Sequence, residues 1–152
     1  MSAASLRVVS GGRSRESVGS NNAHSAKRGG HMALILIVDD SPTEVHVMKT
    51  ALERHGYKIE SAADGAEAIV KAKALKPDLI FMDVVMPGVN GFQATRKLAA
   101  DPDTKSIPII MVTSKDQETD RIWGMRQGAI DYMVKPVSPD ELVEKAQAAL
   151  NS

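Results

Sequence analysis

Three carboxylates, a hydroxyl and an ammonium stand at the ends of short apolar runs in this chain. Asp39 and Asp40 follow Leu34-Ile35-Leu36-Ile37-Val38, and Asp83 follows Leu79-Ile80-Phe81-Met82. Thr113, with Ser114 behind it, closes the run 107–112, and Lys135 closes the run 130–134. If these ends meet, the acids cannot all stay ionised in a partly buried site without compensation. An oxygen-rich acidic pocket suits Mg²⁺, which takes few carboxylates and keeps waters that a phosphate can replace. Lys135 then offers a fixed positive charge to an anion arriving on Asp83, and Thr113 can donate a hydrogen bond to that anion. Asp83 is placed as a carboxylate nucleophile that forms an acyl phosphate. Metal, lysine and hydroxyl would neutralise the transferring phosphoryl group. Pro136, directly after Lys135, is a candidate cis proline that would aim the lysine inward.

That chemistry needs elements that carry four strand ends to one place. Continuous apolar runs of this length read as strands buried on both faces. Strands are expected over about 34–38, 57–62, 79–82, 107–112 and 130–134, with Pro108 tolerable only near a strand start or on an edge. Ser41-Pro42-Thr43-Glu44 supplies an N-cap, a first-position proline and an acid three residues after the cap. Val45, Met48 and Leu52 then turn inward, and Gly56 ends helix 1. Helix 2 starts at Asp64-Gly65, turns Ile69, Val70 and Ala74 inward and stops before Pro77. Helix 3 spans about 91–100, ahead of Asp101-Pro102-Asp103, and helix 4 spans 117–127, ended by Gly128. Helix 5 opens with Ser138-Pro139-Asp140-Glu141 and ends near Leu150. Strand–helix alternation with short connections predicts an α/β fold: a three-layer, doubly wound, five-stranded parallel sheet, (βα)5, in the flavodoxin-like order 2-1-3-4-5. Strands 1 and 3 adjoin at the switch point of that order. Open parallel sheets bind ligands there, beyond the carboxyl edge.

Composition narrows the possible functions. The 152 residues contain no cysteine, which removes disulfides, thiolate metal sites and a cysteine nucleophile. Aromatics make up 3%, too few for a base-stacking nucleic-acid surface. No apolar run reaches the roughly 20 residues of a membrane span. The net charge of zero divides unevenly: residues 1–31 hold five basic residues and one acid (+4), which leaves −4 for the rest. A mildly acidic body is not a polyanion binder. Residues 1–31, with seven serines and five glycines, are expected to be a disordered extension, from an upstream start or an appended segment. The folded domain is expected over 32–152.

Each residue also has a plainer reading. Asp39-Asp40 could be a helix-capping pair, since carboxylates favour helix N-termini. The matching strand-end positions of Asp83 and Lys135 argue against that. Thr113 alone is a strand-end hydroxyl, Tyr132 a half-buried strand aromatic, and Trp123 either packs beside Ile122 or presents an apolar face. The scattered histidines, two of them (His24 and His31) in the extension, support no zinc site. A haloacid-dehalogenase-like phosphohydrolase needs a second aspartate two residues after the nucleophile, and that position is Val85. A flavodoxin-like cofactor carrier would meet repulsion from Asp39-Asp40, and no G-x-G-x-x-G follows strand 1. Asp39-Asp40, Asp83 with Met86-Pro87-Gly88 and Gly91, Thr113 and Lys135-Pro136 together resemble the receiver domain of bacterial response regulators, across 32–152.

That resemblance implies that Asp83 accepts a phosphoryl group from the phosphohistidine of a sensor histidine kinase. Asp40, Asp83 and the Val85 backbone carbonyl would ligate Mg²⁺ directly, with Asp39 acting through water and Mn²⁺ able to substitute. Tyr132 would rotate as Thr113 shifts, and a protein target would read the face of helix 4, strand 5 and helix 5. The stretch 84–96 and the stretch 115–124 are similar to single-domain regulators of type IV pilus twitching motility, in chemotaxis-like pathways. A phosphate sink for a shared kinase and a flagellar-chemotaxis-type regulator are the alternatives. With no output domain expected after helix 5, output is by binding in trans. The protein is expected to be cytoplasmic, away from nucleic acid and membrane. It is expected to be a monomer or a weak phosphorylation-dependent dimer, and to dephosphorylate itself without turnover on an external substrate.

Overall fold

The computed structural model describes residues 27–28, 31–86, 88–114 and 118–151; for 27, 28, 31 and 118–120 it describes the backbone alone. Five parallel strands, β1 (Leu34–Val38), β2 (Lys58–Ala62), β3 (Leu79–Asp83), β4 (Ile109–Thr113) and β5 (Asp131–Val134), form one sheet in the order β2-β1-β3-β4-β5. The five helices are α1 (Pro42–Glu53), α2 (Gly65–Leu75), α3 (Gly91–Ala100), α4 (Glu118–Gln127) and α5 (Pro139–Leu150). This is the expected doubly wound fold. The expected extension lies largely outside the described residues. Lys27–Arg28 and His31–Met32 pair as a two-residue antiparallel ladder.

Strand alternation divides the core into two layers. Ile35, Ile37, Leu79, Phe81, Ile110, Val112 and Met133 pack with Met48 and Leu52 of α1 and Leu142 and Ala146 of α5. The other face, Leu36, Val38, Ile80, Met82, Ile109 and Met111, packs with Ala68 and Ala72 of α2 and Ala94 and Leu98 of α3. Phe81, Ile35, Leu36 and Ile80 are completely buried, so the central strands are apolar on both faces. All five residues of β3 are buried, Asp83 included.

Chain punctuation follows the local chemistry. Ser41 caps α1 by accepting from Glu44 N, Asp64 caps α2 by accepting from Glu67 N, and Ser138 caps α5 by accepting from Glu141 N. A reciprocal capping box forms at α3, where Asn90 and Gln93 each bond the other's backbone N–H. Gly56 has φ 87°, a left-handed conformation that lets the chain turn from α1 into β2. Pro108 lies just before β4, not inside it, and its carbonyl accepts from Ile80 N at 3.0 Å. A residue without an N–H thus contributes to the sheet only as an acceptor.

One expectation about α2 is corrected. Val70 is 66% exposed and Ala74 is also exposed, while Ala68 and Ala72 are fully buried. Ile69 packs partly against the core as expected. Ala68 and Ala72, four residues apart, share the face turned to the sheet, and Val70, two residues on from Ala68, falls on the opposite side. Gly65, at the start of α2, is packed tightly against the loop before α3: a Cβ there would run into the Val89 carbonyl. Ala68→Leu should therefore cost about 1–3 kcal/mol by overpacking, whereas Val70→Ser should stay within about 0.5 kcal/mol of wild type. Urea unfolding of both variants tests this; the reverse ranking would restore the Val70-inward register.

Candidate functional site

The carboxyl edge of the sheet gathers the predicted residues. Asp39 follows β1, and its N–H bonds the Ala62 carbonyl of β2 at 3.0 Å. Asp83 is the last residue of β3, and Val84 N continues the pairing to Val112 of β4 at 3.1 Å. Thr113 ends β4, and its carbonyl accepts from Lys135 N at 2.7 Å, just past the end of β5. Backbone pairing thus sets all four ends in register before any side chain acts.

The side chains complete a charged centre. The carboxylates of Asp39, Asp40 and Asp83 each offer an oxygen within 4.8 Å of the others. Asp39 and Asp83 are buried and Asp40 is exposed. Asp39 Oδ1 accepts from Ser41 N at 2.9 Å, which ties it to the start of α1. Lys135 Nζ donates to Asp39 Oδ2 at 3.0 Å and lies 3.3 Å from Asp83 Oδ1. The Lys135–Pro136 peptide bond is cis, as the sequence reading anticipates. Thr113 is completely buried, Tyr132 is half-buried against the α2–α3 layer, and Ser114 is exposed. Val85 is 55% exposed in the loop after β3.

Electrostatics differ sharply between the two central groups. Burial, then the negative charge of Asp39, push the Asp83 carboxyl up to about 6 from its ordinary 3.8, against the pull of Lys135. Burial alone would lower the Lys135 ammonium. Its hydrogen bonds to Glu44 and Asp39 and the charges of Asp83 and Asp39 carry it well above the ordinary lysine value instead. Lysine therefore stays charged, while one carboxylate is held in an environment short of positive charge.

A divalent cation fits that deficit. The donor set is all oxygen, contributed by three carboxylates at one rim, and among the described residues Lys135 is the ammonium ion-paired to two of them. Mg²⁺ prefers such hard, partly hydrated sites. Asp39, Asp40 and Asp83 are the residues that would hold it.

One member of the centre has no assignment from sequence. Glu44 reads there only as the acid of a helix start, yet its Oε2 accepts from Lys135 Nζ at 3.0 Å. Their separation of 91 positions in sequence leaves no local pattern that could reveal the pair. Gly91 has a second role of the same kind. Its N–H bonds the Val84 carbonyl at 3.0 Å, and a Cβ on it would collide with the Asp83 carbonyl. Only glycine lets α3 start against the backbone of the central aspartate.

A doubly wound sheet with paired acids after β1, an aspartate ending β3 and a lysine after β5 defines a class of signalling domain. Residues 35–147 match the response regulator receiver domain, and the chain belongs to that family. Protein PilH of Pseudomonas aeruginosa is 53% identical over 119 residues, covering 78% of this chain and 98% of PilH. The alkaline phosphatase synthesis transcriptional regulatory protein PhoP of Bacillus subtilis is 42% identical over 116 residues, 76% of this chain but 48% of PhoP. The response regulator PleD of Caulobacter vibrioides is matched over 23% of its length, so this chain spans half or less of such larger relatives. Among solved structures, the chemotaxis protein CheY4 of Vibrio cholerae superposes with a TM-score of 0.74 at 35% identity, over 78% of this chain and 98% of that one. The receiver domain of the sensor histidine kinase PA1611 from Pseudomonas aeruginosa also superposes with a TM-score of 0.74, at 32% identity, over 79% of this chain and 98% of that one. That structure carries a magnesium ion coordinated in its active-site cleft.

The raised Asp83 value carries a stability consequence. Below the ordinary 3.8, Asp83 is protonated whether the chain is folded or not, and it contributes nothing. As pH rises from there through about 6, the unfolded chain releases this proton and the folded one retains it, so stability falls. Above about 6 the penalty is complete. In metal-free buffer at pH 7.5, Asp83→Asn should therefore be more stable than wild type by about 1–3 kcal/mol, and the advantage should fade toward pH 4. Thermal melts with a chelator across that range measure it; a destabilised Asp83→Asn at pH 7.5 would contradict the assignment.

Proposed function

We propose that this protein is a phosphorylation-dependent response regulator in which Asp83 accepts a phosphoryl group from a sensor histidine kinase with Mg²⁺. The observation that carries the reading is the centre itself. A buried carboxylate at the end of β3 lies 3.3 Å from Lys135 Nζ and shares a cluster with Asp39 and Asp40. An oxygen of ionised Asp83 attacks phosphorus, the phosphorus–nitrogen bond to the donor histidine breaks, and the imidazole nitrogen keeps the bonding pair. The product is an aspartyl phosphate. Mg²⁺ held by Asp39, Asp40 and Asp83 would supply charge neutralisation to the transferring group. Lys135 shifts from the Asp83 carboxylate to the new phosphoryl oxygens. Thr113 donates its hydroxyl to the same group, and Tyr132 moves with it.

The switch is a population shift between two arrangements of the α4–β5–α5 face, and a target protein binds one of them better. Ile122 and Trp123 on α4 and Ile130 before β5 are 44%, 49% and 47% exposed, which supports an apolar docking surface there. Water later hydrolyses the acyl phosphate, and no external substrate is turned over. Val85, two residues after Asp83, has no acid–base group to offer a leaving alcohol. We place the protein in a chemotaxis-like pathway that controls type IV pilus twitching motility. The wording of 84–96 and 115–124, together with the PilH identity over nearly all of that protein, supports this. A cytoplasmic, stand-alone regulator acting in trans fits that placement. Among the described residues, no helix is long and apolar enough to cross a membrane.

Incubation with a small acyl phosphate and Mg²⁺ should label wild type and leave Asp83→Asn unlabelled. Undiminished labelling of Asp83→Asn would end the proposal. Lys135→Ala should still accept phosphate but lose most of the change in target binding, read by titrating the partner against phosphorylated and unphosphorylated protein. A wild-type response in Lys135→Ala would reject the role given to the lysine.

A further inference from the structure

Lys135 has three N–H donors, and three carboxylates surround its Nζ: Asp39 at 3.0 Å, Glu44 at 3.0 Å and Asp83 at 3.3 Å. Two of these partners, Asp39 and Asp83, also belong to the acidic trio suited to a divalent ion. A dication there and the ammonium would draw on the same oxygens while repelling each other. Metal binding therefore favours an ammonium that rests on a carboxylate outside the trio. Glu44 provides one. It comes from the first turn of α1, lies outside the trio and is 40% exposed, so its carboxylate keeps access to water.

We propose that Glu44 is a positioning residue for Lys135: it holds the ammonium aside when Asp39 and Asp83 turn to the metal, and so strengthens Mg²⁺ binding. This rests on the metal-dependent reading above and deepens it by assigning a residue that acts on the metal only through the lysine. The competing account is that Glu44 is simply another negative charge near the rim, at a helix N-terminus that favours acids anyway. Both accounts make Glu44 favourable to a cation. Only the positioning account requires the carboxylate to reach Nζ.

Calorimetric titration of Mg²⁺ into the full chain separates them. Glu44→Asp keeps the charge and its place at the start of α1 but shortens the arm by one methylene. Glu44→Gln removes the charge. Both should weaken Mg²⁺ about tenfold, the low end of the loss when an outer-shell partner of a metal site is removed. A wild-type Kd in Glu44→Asp overturns the proposal, whether Glu44→Gln is weakened or not. In a Lys135→Met background, Glu44→Gln should have no further effect; an equal fold-loss with and without the lysine also overturns it. A wild-type protein that fails to bind Mg²⁺ overturns the metal reading together with this one. Normal binding that is indifferent to Glu44 overturns only the inference.

Discussion

The structure depends on placing two buried carboxylates, Asp39 and Asp83, on one ammonium. Neither acid is tolerable at this depth without it: removing the lysine would leave two buried carboxylates uncompensated, a change that typically costs about 3–5 kcal/mol. Lys135 relieves both, at 3.0 and 3.3 Å, but one positive charge cannot balance three acids. Asp83 carries the residue of that imbalance as a carboxyl raised to about 6. A group so placed gains from any cation that approaches, and the aspartyl phosphate proposed for it, more negative than the carboxylate, would depend on that cation still more. The shortage of positive charge and the proposed need for a metal are thus one property. The rest of the fold exists to keep four strand ends close enough for that shortage to persist.

The sheet does this by backbone pairing. Asp39 N, Val84 N and Lys135 N each bond the carbonyl of a neighbouring strand or strand end, so the functional residues are fixed by the same ladder that builds the core. Apolar side chains on both faces of β1, β3 and β4 hold the ladder dry. This is why the site was legible from sequence. Buried parallel strands read as continuous apolar runs, and the residue after each run is placed by topology, not by side-chain geometry. Asp39, Asp40, Asp83, Thr113 and Lys135 could be located at the rim on that ground alone.

What was not legible depended on distance between surfaces. The inward face of α2 is alanine, and a reading that favours larger apolar residues selects Val70 instead. The pairing of Glu44 with Lys135 joins the first turn of α1 to the end of β5, and no spacing rule connects them. Gly91 was visible as part of a motif, but its physical reason, the Asp83 carbonyl in the space a Cβ would occupy, is a contact between a helix start and a strand end. Each of these is a packing relation between elements remote in sequence, which no local pattern encodes.

The same closeness bears on how a change at Asp83 could reach the far side of the molecule. Thr113 is fully buried at the end of β4, next in the chain to Val112, the register partner of Asp83, and is itself paired with Val134 just before Lys135. A buried hydroxyl cannot be left without a partner cheaply, so any shift of Thr113 toward a new anion must be answered by its neighbours. Tyr132, in β5 and paired with Met111 of β4, is the half-buried aromatic within that neighbourhood. Beyond it, α4 turns Ile122, Trp123 and Met125 outward, and Gly124 is the buried position among residues 121–127. Over 121–127, α4 meets Met111 and Phe92 through Gly124 and turns its larger apolar side chains outward, so this stretch buries little apolar area. Small area means a small free-energy difference between alternative seatings. The proposed output surface is therefore one that a local event at Asp83 can move at small cost in buried apolar area.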